Sequence, residues 1–245
     1  SEIGAPEGVQ VMRATGVWGR SVAGHALALA FGLMRRLPEC ENARAQAQWI
    51  RSDIAPKMMS LAGRKVLLVG YGDIGGVLAP TLKLLGARVT IVARSARSHG
   101  ADGPVHAVEA LDDLLPEAEI VFLTVPSSAS TTGLFDRARL RRMRKGALLI
   151  NVGRGEVIDE NALADLLIAG KLGGAGLDVF VKEPLPSASP LWQCPNVILT
   201  PHTAAFGDRE SIERLGALAA ENLHLIRAGR EPVGLVAVGN SMRTG

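Results

Sequence analysis

Cysteine, aromatic residues and long apolar runs are all scarce in this chain of 245 residues. Its two cysteines, Cys40 and Cys194, lie far apart and no C-x-x-C spacing occurs, which argues against a disulfide framework and against a zinc site. No apolar run reaches the roughly 18 residues that a membrane-spanning helix needs. The first residues, SEIGAPEGVQ, lack the basic and apolar regions of a signal peptide. We therefore expect a cytoplasmic protein with no membrane partner and no metal.

Charge is also low, since the formal net charge is only +3 and charged residues make up 21% of the chain. One stretch departs from this, because residues 137–145, RARLRRMRK, contain six basic residues in nine positions. Such a patch can bind nucleic acid, but basic residues late in a helix also interact favourably with the helix dipole, and no aromatic residues are interleaved here. We interpret the stretch as a solvated helix face and expect no nucleic-acid partner.

Short apolar runs rich in β-branched residues alternate with helical stretches from about residue 65 onward. The predicted strands cover residues 65–70, 88–93, 120–125, 147–152, 174–180 and 196–201. The predicted helices between them cover residues 75–86, 108–115, 136–145 and 159–170. Strands and helices that alternate at this spacing predict the α/β class, with a doubly wound parallel sheet covered by helices on both faces.

Two further helices are predicted to flank this sheet. Residues 21–39 are apolar almost all round, which predicts a helix buried between domains or against another subunit. Residues 208–229 form a more amphipathic pattern. We therefore divide the chain into a connecting segment with a long helix (1–60), a Rossmann-type dinucleotide-binding domain (61–207), and a return helix with a tail (208–245).

The first predicted strand runs directly into the sequence GYGDIGG at residues 70–76. In this G-x-G-x-x-G motif, Gly70 permits a tight turn, Gly72 lets a pyrophosphate approach the backbone, and Gly75 lets the helix pack close to the sheet. Amide groups at the start of the helix, at Asp73 and Ile74, would hold the phosphates. The motif predicts a dinucleotide cofactor, and a purely structural glycine turn is the alternative.

The end of the second predicted strand indicates which dinucleotide is bound. An NAD-binding domain usually places an acidic residue there, but the sequence has neither Asp nor Glu between residues 74 and 101. Ala93 occupies the expected acidic position, and Arg94, Ser95 and Arg97 follow it. Guanidinium and hydroxyl groups suit a 2′-phosphate, so NADP is favoured and NAD is the alternative. The alternative interpretation is that these arginines are exposed loop residues with no ligand.

Three polar residues, Arg154, Glu183 and His202, lie at or just beyond the ends of later predicted strands. Ligands collect at the carboxyl ends of strands in open α/β sheets. An arginine there can bind a carboxylate with two parallel hydrogen bonds, and a histidine can transfer a proton near neutral pH. A neighbouring carboxylate would orient the imidazole and raise its pKa. Taken singly, each could be an ordinary turn or loop residue.

Four segments, GYGDIG, NVGRGEVIDE, LDVFVKEPLP and LTPHTAAF, resemble in order and spacing the D-isomer-specific 2-hydroxyacid dehydrogenase family. The resemblance covers nearly the whole chain, because SVAGHALALAFGLMRR also resembles the long connecting helix of that family. It implies that Arg154 binds the substrate carboxylate, that His202 donates the proton, and that Glu183 pairs with His202. It further implies that Asp178 meets the nicotinamide amide. The residues implied to line the cofactor cleft are Val125, Pro126, Thr131, Val152 and Gly153.

The sequence also departs from that family at its start. It begins almost at the connecting helix, where the family has most of a smaller substrate domain, and Gly24 replaces a usual glutamate before His25. We interpret His25 as structural. The first hypothesis is an NADP-preferring reductase of small 2-oxo acids, of the glyoxylate or hydroxypyruvate reductase kind, that forms a homodimer through the apolar helix. The alternative is a non-catalytic dinucleotide sensor on the same fold, similar to transcriptional corepressors.

Overall fold

The structure is a computed structural model that describes residues 6, 8–99, 103–206 and 209–238. The strands found in these residues are β1 (Gln10–Met12), β2 (Lys65–Val69), β3 (Arg88–Ala93), β4 (Arg97–His99), β5 (Gly103–Ala107), β6 (Ile120–Leu123), β7 (Leu148–Asn151), β8 (Gly174–Leu177), β9 (Val197–Leu199) and β10 (Leu235–Val238). The α-helices are α1 (Gly19–Met34), α2 (Leu37–Ala45), α3 (Arg51–Ile54), α4 (Asp73–Leu84), α5 (Leu111–Leu114), α6 (Arg137–Arg142), α7 (Glu160–Ile168) and α8 (Arg209–Arg227).

Eight strands form one sheet in the order β4-β5-β3-β2-β6-β7-β8-β9. Seven of them are parallel, and only the edge strand β4 runs antiparallel to its neighbour β5. The six predicted strands are all present, so the predicted α/β class with a doubly wound parallel sheet is confirmed. The chain moves outward from β2 on one side and returns to form β6 on the other. Ligands bind at such a switch point in sheets of this kind.

Both faces of the sheet are covered, which explains why the strands are apolar at nearly every position. Side chains alternate between the faces along β2. Val66 and Leu68 belong to a buried cluster with α1 and α4, whereas Leu67 and Val69 belong to a cluster with α5, α6 and α7. The glycine turn that follows β2 is therefore supported from two sides.

The apolar helix α1 packs on this same sheet, next to α4. Glycine in β8 makes the close approach feasible, because a Cβ atom at Gly176 would lie 2.8 Å from Cβ of Leu29. One strip of the helix, which includes Gly24 and Ala28, remains exposed. The helix that was predicted to be buried between domains or against a second subunit thus finds much of its burial within the chain.

A smaller unit consists of the antiparallel pair β1–β10 and the helix α8. The Asn222 side chain joins α8 to the segment that leads into β10, since its Oδ1 accepts a bond from the Val233 N–H at 2.7 Å and its Nδ2 donates to the Val233 carbonyl at 3.1 Å. The predicted division between residues 207 and 208 lies outside the described residues. None of the helices that the structure describes is long and apolar enough to cross a membrane.

Candidate active site

The turn after β2 has the geometry that the glycine motif predicts. Gly70 has a φ of +109°, and a Cβ atom there would lie 2.6 Å from Oγ1 of Thr124, whose hydroxyl donates to the Gly70 carbonyl at 3.1 Å. A Cβ atom at Gly75 would overlap with the same carbonyl oxygen. At Gly72, by contrast, no atom lies within 4 Å of the Cβ position. The turn is tightly packed from below and open where a pyrophosphate would approach.

The helix α4 begins at Asp73, directly beside this open space. Its first backbone N–H groups have no acceptor within the helix, as in any α-helix, so they are free to bind an anion. The Asp73 carboxylate accepts a bond from the Gly16 N–H at 2.5 Å and so joins the turn to the segment before α1. Ile74 packs against the buried cluster beneath the helix. The residues present therefore fit a bound pyrophosphate.

The structure separates the three polar residues that follow β3. Arg94 and Ser95 are exposed in the connection to β4. Arg97 is the first residue of β4, and its Nη2 donates to the Tyr71 carbonyl at 3.0 Å. Its guanidinium carbon also lies 5.5 Å from the centre of the Tyr71 ring, which is a cation–π arrangement. One of the two predicted arginines is thus held against the glycine turn.

The turns after β6 and β7 carry the residues that were predicted to line the cofactor cleft. The Thr131 hydroxyl donates to the Pro126 carbonyl at 2.6 Å, which folds the turn after β6 back on itself. A Cβ atom at Gly153 would lie 2.6 Å from the carbonyl oxygen of Val125. Val152 is buried and Val125 is partly buried. These residues therefore lie together at one edge of the sheet.

Arg154 lies between two glycines because both of its neighbours are in close backbone contact. Gly153 packs against the turn after β6, and a Cβ atom at Gly155 would overlap with the backbone of Phe180. The buried side chain of Asn151 holds the turn, since it accepts from the Gly153 N–H at 3.1 Å and donates to the Arg154 carbonyl at 2.9 Å. The arginine side chain is left exposed at the carboxyl end of β7.

Glu183 and His202 form a hydrogen-bonded pair. Nδ1 of His202 lies 2.6 Å from Oε2 of Glu183, and Oε1 of Glu183 accepts from the Phe180 N–H at 3.0 Å. Burial raises the pKa of the Glu183 carboxyl, but the bonds from His202 and Phe180 and the charge of Arg154 outweigh it and hold that pKa below its usual range. Glu183 is therefore a carboxylate near neutral pH, and the pairing leaves Nε2 of His202 for a proton transfer.

Asp178 holds the turn that carries His202. Its side chain is 0% exposed, and its oxygens accept from the Thr200 hydroxyl at 2.6 Å and from the N–H groups of Thr203 and Ala204, both at 3.0 Å. Its carbonyl accepts from the His202 N–H at 2.9 Å. His202 has a φ of +54°, in the left-handed region that non-glycine residues adopt only when their surroundings require it. The contact of Asp178 with a nicotinamide amide stays a prediction.

The structure thus brings Arg154, Glu183 and His202 to one rim of the sheet, beyond β7, β8 and β9. Sequence patterns alone missed the polar residues that hold this rim and the glycine turn. Those residues are Thr124, Asn151 and Thr200, each of which ends or directly follows an apolar strand. A polar residue at the end of an apolar strand was the sequence feature that could have identified them. No group of three or more His, Cys, Asp or Glu that could hold a metal ion occurs in the described parts of the chain.

A family model described as "D-isomer specific 2-hydroxyacid dehydrogenase, NAD binding domain" matches residues 27–204 of the chain, which is well over half of its length. The chain belongs to the D-isomer specific 2-hydroxyacid dehydrogenase family. This match confirms the resemblance in the sequence motifs and gives the class of the cofactor as NAD or NADP.

Relatives within the 2-hydroxyacid dehydrogenase family carry related names. The chain is 34% identical over 232 residues to a glyoxylate reductase of Korarchaeum cryptofilum, covering 94% of this chain and 69% of that protein. It is 35% identical over 227 residues to glyoxylate/hydroxypyruvate reductase B of Pectobacterium carotovorum, covering 89% of this chain and 68% of that protein.

A solved structure of a D-isomer specific 2-hydroxyacid dehydrogenase from Xanthobacter autotrophicus, in complex with NADPH and MES, is 32% identical. It superposes with a TM-score of 0.80 over 94% of this chain and 92% of that chain. Together, these members of the 2-hydroxyacid dehydrogenase family support a hydride-transferring reductase, and they do not favour a non-catalytic sensor.

Proposed function

We propose that this protein is an NADP-preferring reductase of small 2-oxo acids, of the glyoxylate or hydroxypyruvate reductase kind. The observation that carries the proposal is the hydrogen-bonded pair of His202 and Glu183 on the same rim as the exposed Arg154. This rim combines a proton donor, a group that orients it and a cation for an anionic substrate. A non-catalytic binding protein has no need of that combination.

The roles of the three residues follow from their chemistry. A bound nicotinamide cofactor supplies a hydride to C2 of the 2-oxo acid. Arg154 binds the substrate carboxylate with two parallel N–H bonds and polarises the 2-oxo group. His202 donates a proton from Nε2 to the oxygen at C2, so that a 2-hydroxy acid is formed. Glu183 orients the imidazole ring and stabilises its protonated form.

The cofactor would lie along the carboxyl edge of the sheet. Gly70, Gly72 and Gly75 would shape the pyrophosphate turn, and the first amides of α4, at Asp73 and Ile74, would bind the phosphates. The proposed wall of the nicotinamide half comprises Val125, Pro126, Thr131, Val152, Gly153 and Asp178.

Arg97 supports the choice of NADP over NAD. Its guanidinium group is held against Tyr71 of the glycine turn, on the side where the adenosine ribose would lie. Arg94 and Ser95 precede it and could contact the same 2′-phosphate. The related Xanthobacter structure, which holds NADPH, is consistent with this choice.

A homodimer through α1 is a further part of the proposal. The exposed strip of α1 contains Gly24 and Ala28, and the partly buried Leu27 and Phe31 border it. Small and apolar side chains of this kind would allow a second helix to approach closely. Light scattering on the purified protein would measure the mass and test the dimer.

A cytoplasmic location, without nucleic-acid or membrane partners, completes the proposal. Ion pairs within the chain occupy part of the basic stretch at 137–145 and support its interpretation as a solvated face. These pairs are Arg137 with Asp165 at 2.8 Å, Arg139 with Asp112 at 2.9 Å and Arg144 with Glu119 at 3.2 Å.

The decisive experiment follows the absorbance of NADPH and NADH with glyoxylate, hydroxypyruvate, pyruvate and phenylpyruvate as substrates. We expect turnover with glyoxylate or hydroxypyruvate and a preference for NADPH. A preference for NADH would refute the proposed role of Arg97. If protein that binds a dinucleotide turned over none of these acids, the proposed reductase activity would be wrong.

A further inference from the structure

A network of polar side chains connects α1 to the turn that carries His202. Nε2 of His25, in the middle of α1, lies 2.9 Å from Oγ1 of Thr200. The Thr200 hydroxyl in turn lies 2.6 Å from Oδ1 of Asp178. His25 and Thr200 are 175 positions apart in the chain, so only the packing of α1 on the sheet brings them together. None of the roles proposed above uses His25.

The hydrogen bonds determine which way the protons point in this network. Both oxygens of Asp178 accept bonds from backbone N–H groups, so the Thr200 hydroxyl donates its one proton to the carboxylate. The Thr200 oxygen is then an acceptor for His25. Nε2 of His25 must therefore carry a proton and donate it to Thr200.

His25 also lies close to the buried carboxylate of Asp178. Its Nε2 lies 3.4 Å from Oδ1 of Asp178, whose side chain is 0% exposed, while the His25 side chain is 23% exposed. Within the described ranges, no other basic side chain lies within 4.0 Å of Asp178. A buried carboxylate needs donors to compensate for lost hydration, and His25 holds one of these donors, the Thr200 hydroxyl, in place.

The geometry points to His25 as a positioning residue for His202. Asp178 holds the left-handed backbone of His202 through the N–H groups on its C-terminal side, and His25 holds Asp178 and Thr200 in place. Loss of the His25 N–H would let the turn relax and move the imidazole of His202 away from the substrate. This inference rests on the proposed function, which makes His202 the proton donor.

The test compares His25→Leu, which removes the donor, with His25→Gln, whose amide N–H can reach Thr200. We expect His25→Leu to lower kcat roughly tenfold, because small displacements of a catalytic group slow the chemical step. The KM for the 2-oxo acid should change less than about twofold, since the acid does not contact His25 in the proposed site. His25→Gln should restore most of the rate. His106→Leu, an exposed histidine in β5, is the matched control.

A double-mutant cycle with Thr200→Val tests the path of the effect. If His25 acts through Thr200, the double variant should be about as slow as Thr200→Val alone, because the second change has no contact left to remove. The inference would be overturned if the rate losses of the two single variants multiplied in the double variant. It would also be overturned if His25→Leu were as fast as the wild type, or if a folded His25→Gln were as slow as His25→Leu. If His25→Leu does not fold, Thr200→Val and His25→Gln provide the same comparison.

Hydrogen exchange separates this inference from the proposed function. The amides of Thr203 and Ala204 donate to Asp178, so they should exchange roughly tenfold faster in His25→Leu than in the wild type. This measurement needs no turnover. If the wild type reduced none of the 2-oxo acids, the proposed function would fail while exchange still reported on the network. Unchanged exchange of both amides would show that His25 does not hold the turn.

Discussion

The two ends of the proposed cleft are built differently: Arg154 and His202 lie at its proposed substrate end, and Arg97 lies at its proposed adenosine end. At the substrate end, the backbone turns that carry Arg154 and His202 are held by the buried side chains of Asn151 and Asp178. At the adenosine end, the exposed Arg97 is held by one backbone carbonyl and the face of Tyr71. Proton transfer requires a fixed geometry, whereas cofactor selection needs only a charge within reach. We therefore expect substitutions at the substrate end to have the larger effects.

The largest effect is expected for His202→Asn. Removing the proposed proton donor should lower kcat roughly 100- to 10,000-fold, which is the usual contribution of general acid catalysis. Asparagine tolerates the left-handed backbone of this position, so the fold should survive. Steady-state kinetics give kcat, and fluorescence titration with NADPH should give an unchanged Kd.

His224→Asn in the last turn of α8 is the control for this change, and it should retain the wild-type rate. If His202→Asn reduced the 2-oxo acid at the wild-type rate, the proton donor would have to be another group, and the contrast between the two ends would lose its basis.

A smaller effect is expected in the middle of the cleft, at Gly72→Ala. The structure has room for the added methyl group, so the melting temperature should change little. That room is the proposed place of the pyrophosphate, so the affinity for NADPH should fall roughly tenfold or more. Gly76→Ala, four positions along in α4 and equally unobstructed, should preserve both properties. Equal NADPH affinities for the two variants would remove the pyrophosphate from this position.

Glu183→Gln should lower kcat roughly tenfold, because a neutral amide still accepts a hydrogen bond but no longer stabilises a protonated imidazole. The wild-type Glu183 has a lowered pKa, so its stabilising charge is present at neutral pH and is lost only as the pH falls through that lowered value. On the alkaline side of the pH profile, the rate of reduction by Glu183→Gln should begin to decline at a lower pH than the rate of the wild type does. A pH profile of kcat/KM measures this shift.

Glu160→Gln is the control for the loss of a carboxylate that accepts a backbone N–H bond. Glu160 accepts such a bond from Val181 at 2.7 Å but does not contact His202. Its pH profile should match that of the wild type. If the two glutamine variants had the same profile, the charge of Glu183 would have no special role.

The smallest effect is expected at the adenosine end. Arg97→Ala should raise the KM for NADPH roughly two- to fivefold and leave the KM for NADH unchanged, because an exposed charge contributes modestly to phosphate binding. Arg88→Ala, at the other end of β3, should alter neither. A loss of NADPH affinity as large as that in Gly72→Ala would show that the adenosine end is as demanding as the rest of the cleft.

The fold was predictable because most of the sheet is built from strands that are apolar on both faces. The six predicted strands needed only composition and spacing to be recognised. The pairs β4–β5 and β1–β10 were not predicted, since their strands are short and their patterns weak. The partners in the second pair, Gln10–Met12 and Leu235–Val238, also lie at opposite ends of the chain, so no local pattern joins them.

The candidate site likewise contains residues that were predictable from the sequence and residues that were not. Arg154, Glu183 and His202 were recognisable because an ionisable residue after an apolar strand is unusual, and the pairing of Glu183 with His202 was expected from the family resemblance. Asn151 and Thr200 carried the same signal in weaker form, as polar residues at the ends of apolar strands. Their use became apparent only from the atoms they contact.

By itself, the sequence determined the class of the fold, the family and the types of residue at the rim, because apolar periodicity and glycine spacing act locally. Only the tertiary structure decided how that rim is held. His25 reaches Thr200 because a glycine in β8 lets α1 pack closely on the sheet, and Arg97 reaches Tyr71 because β4 turns back along β5. Contacts of this kind depend on side-chain volumes in distant segments, which no single stretch of the chain contains.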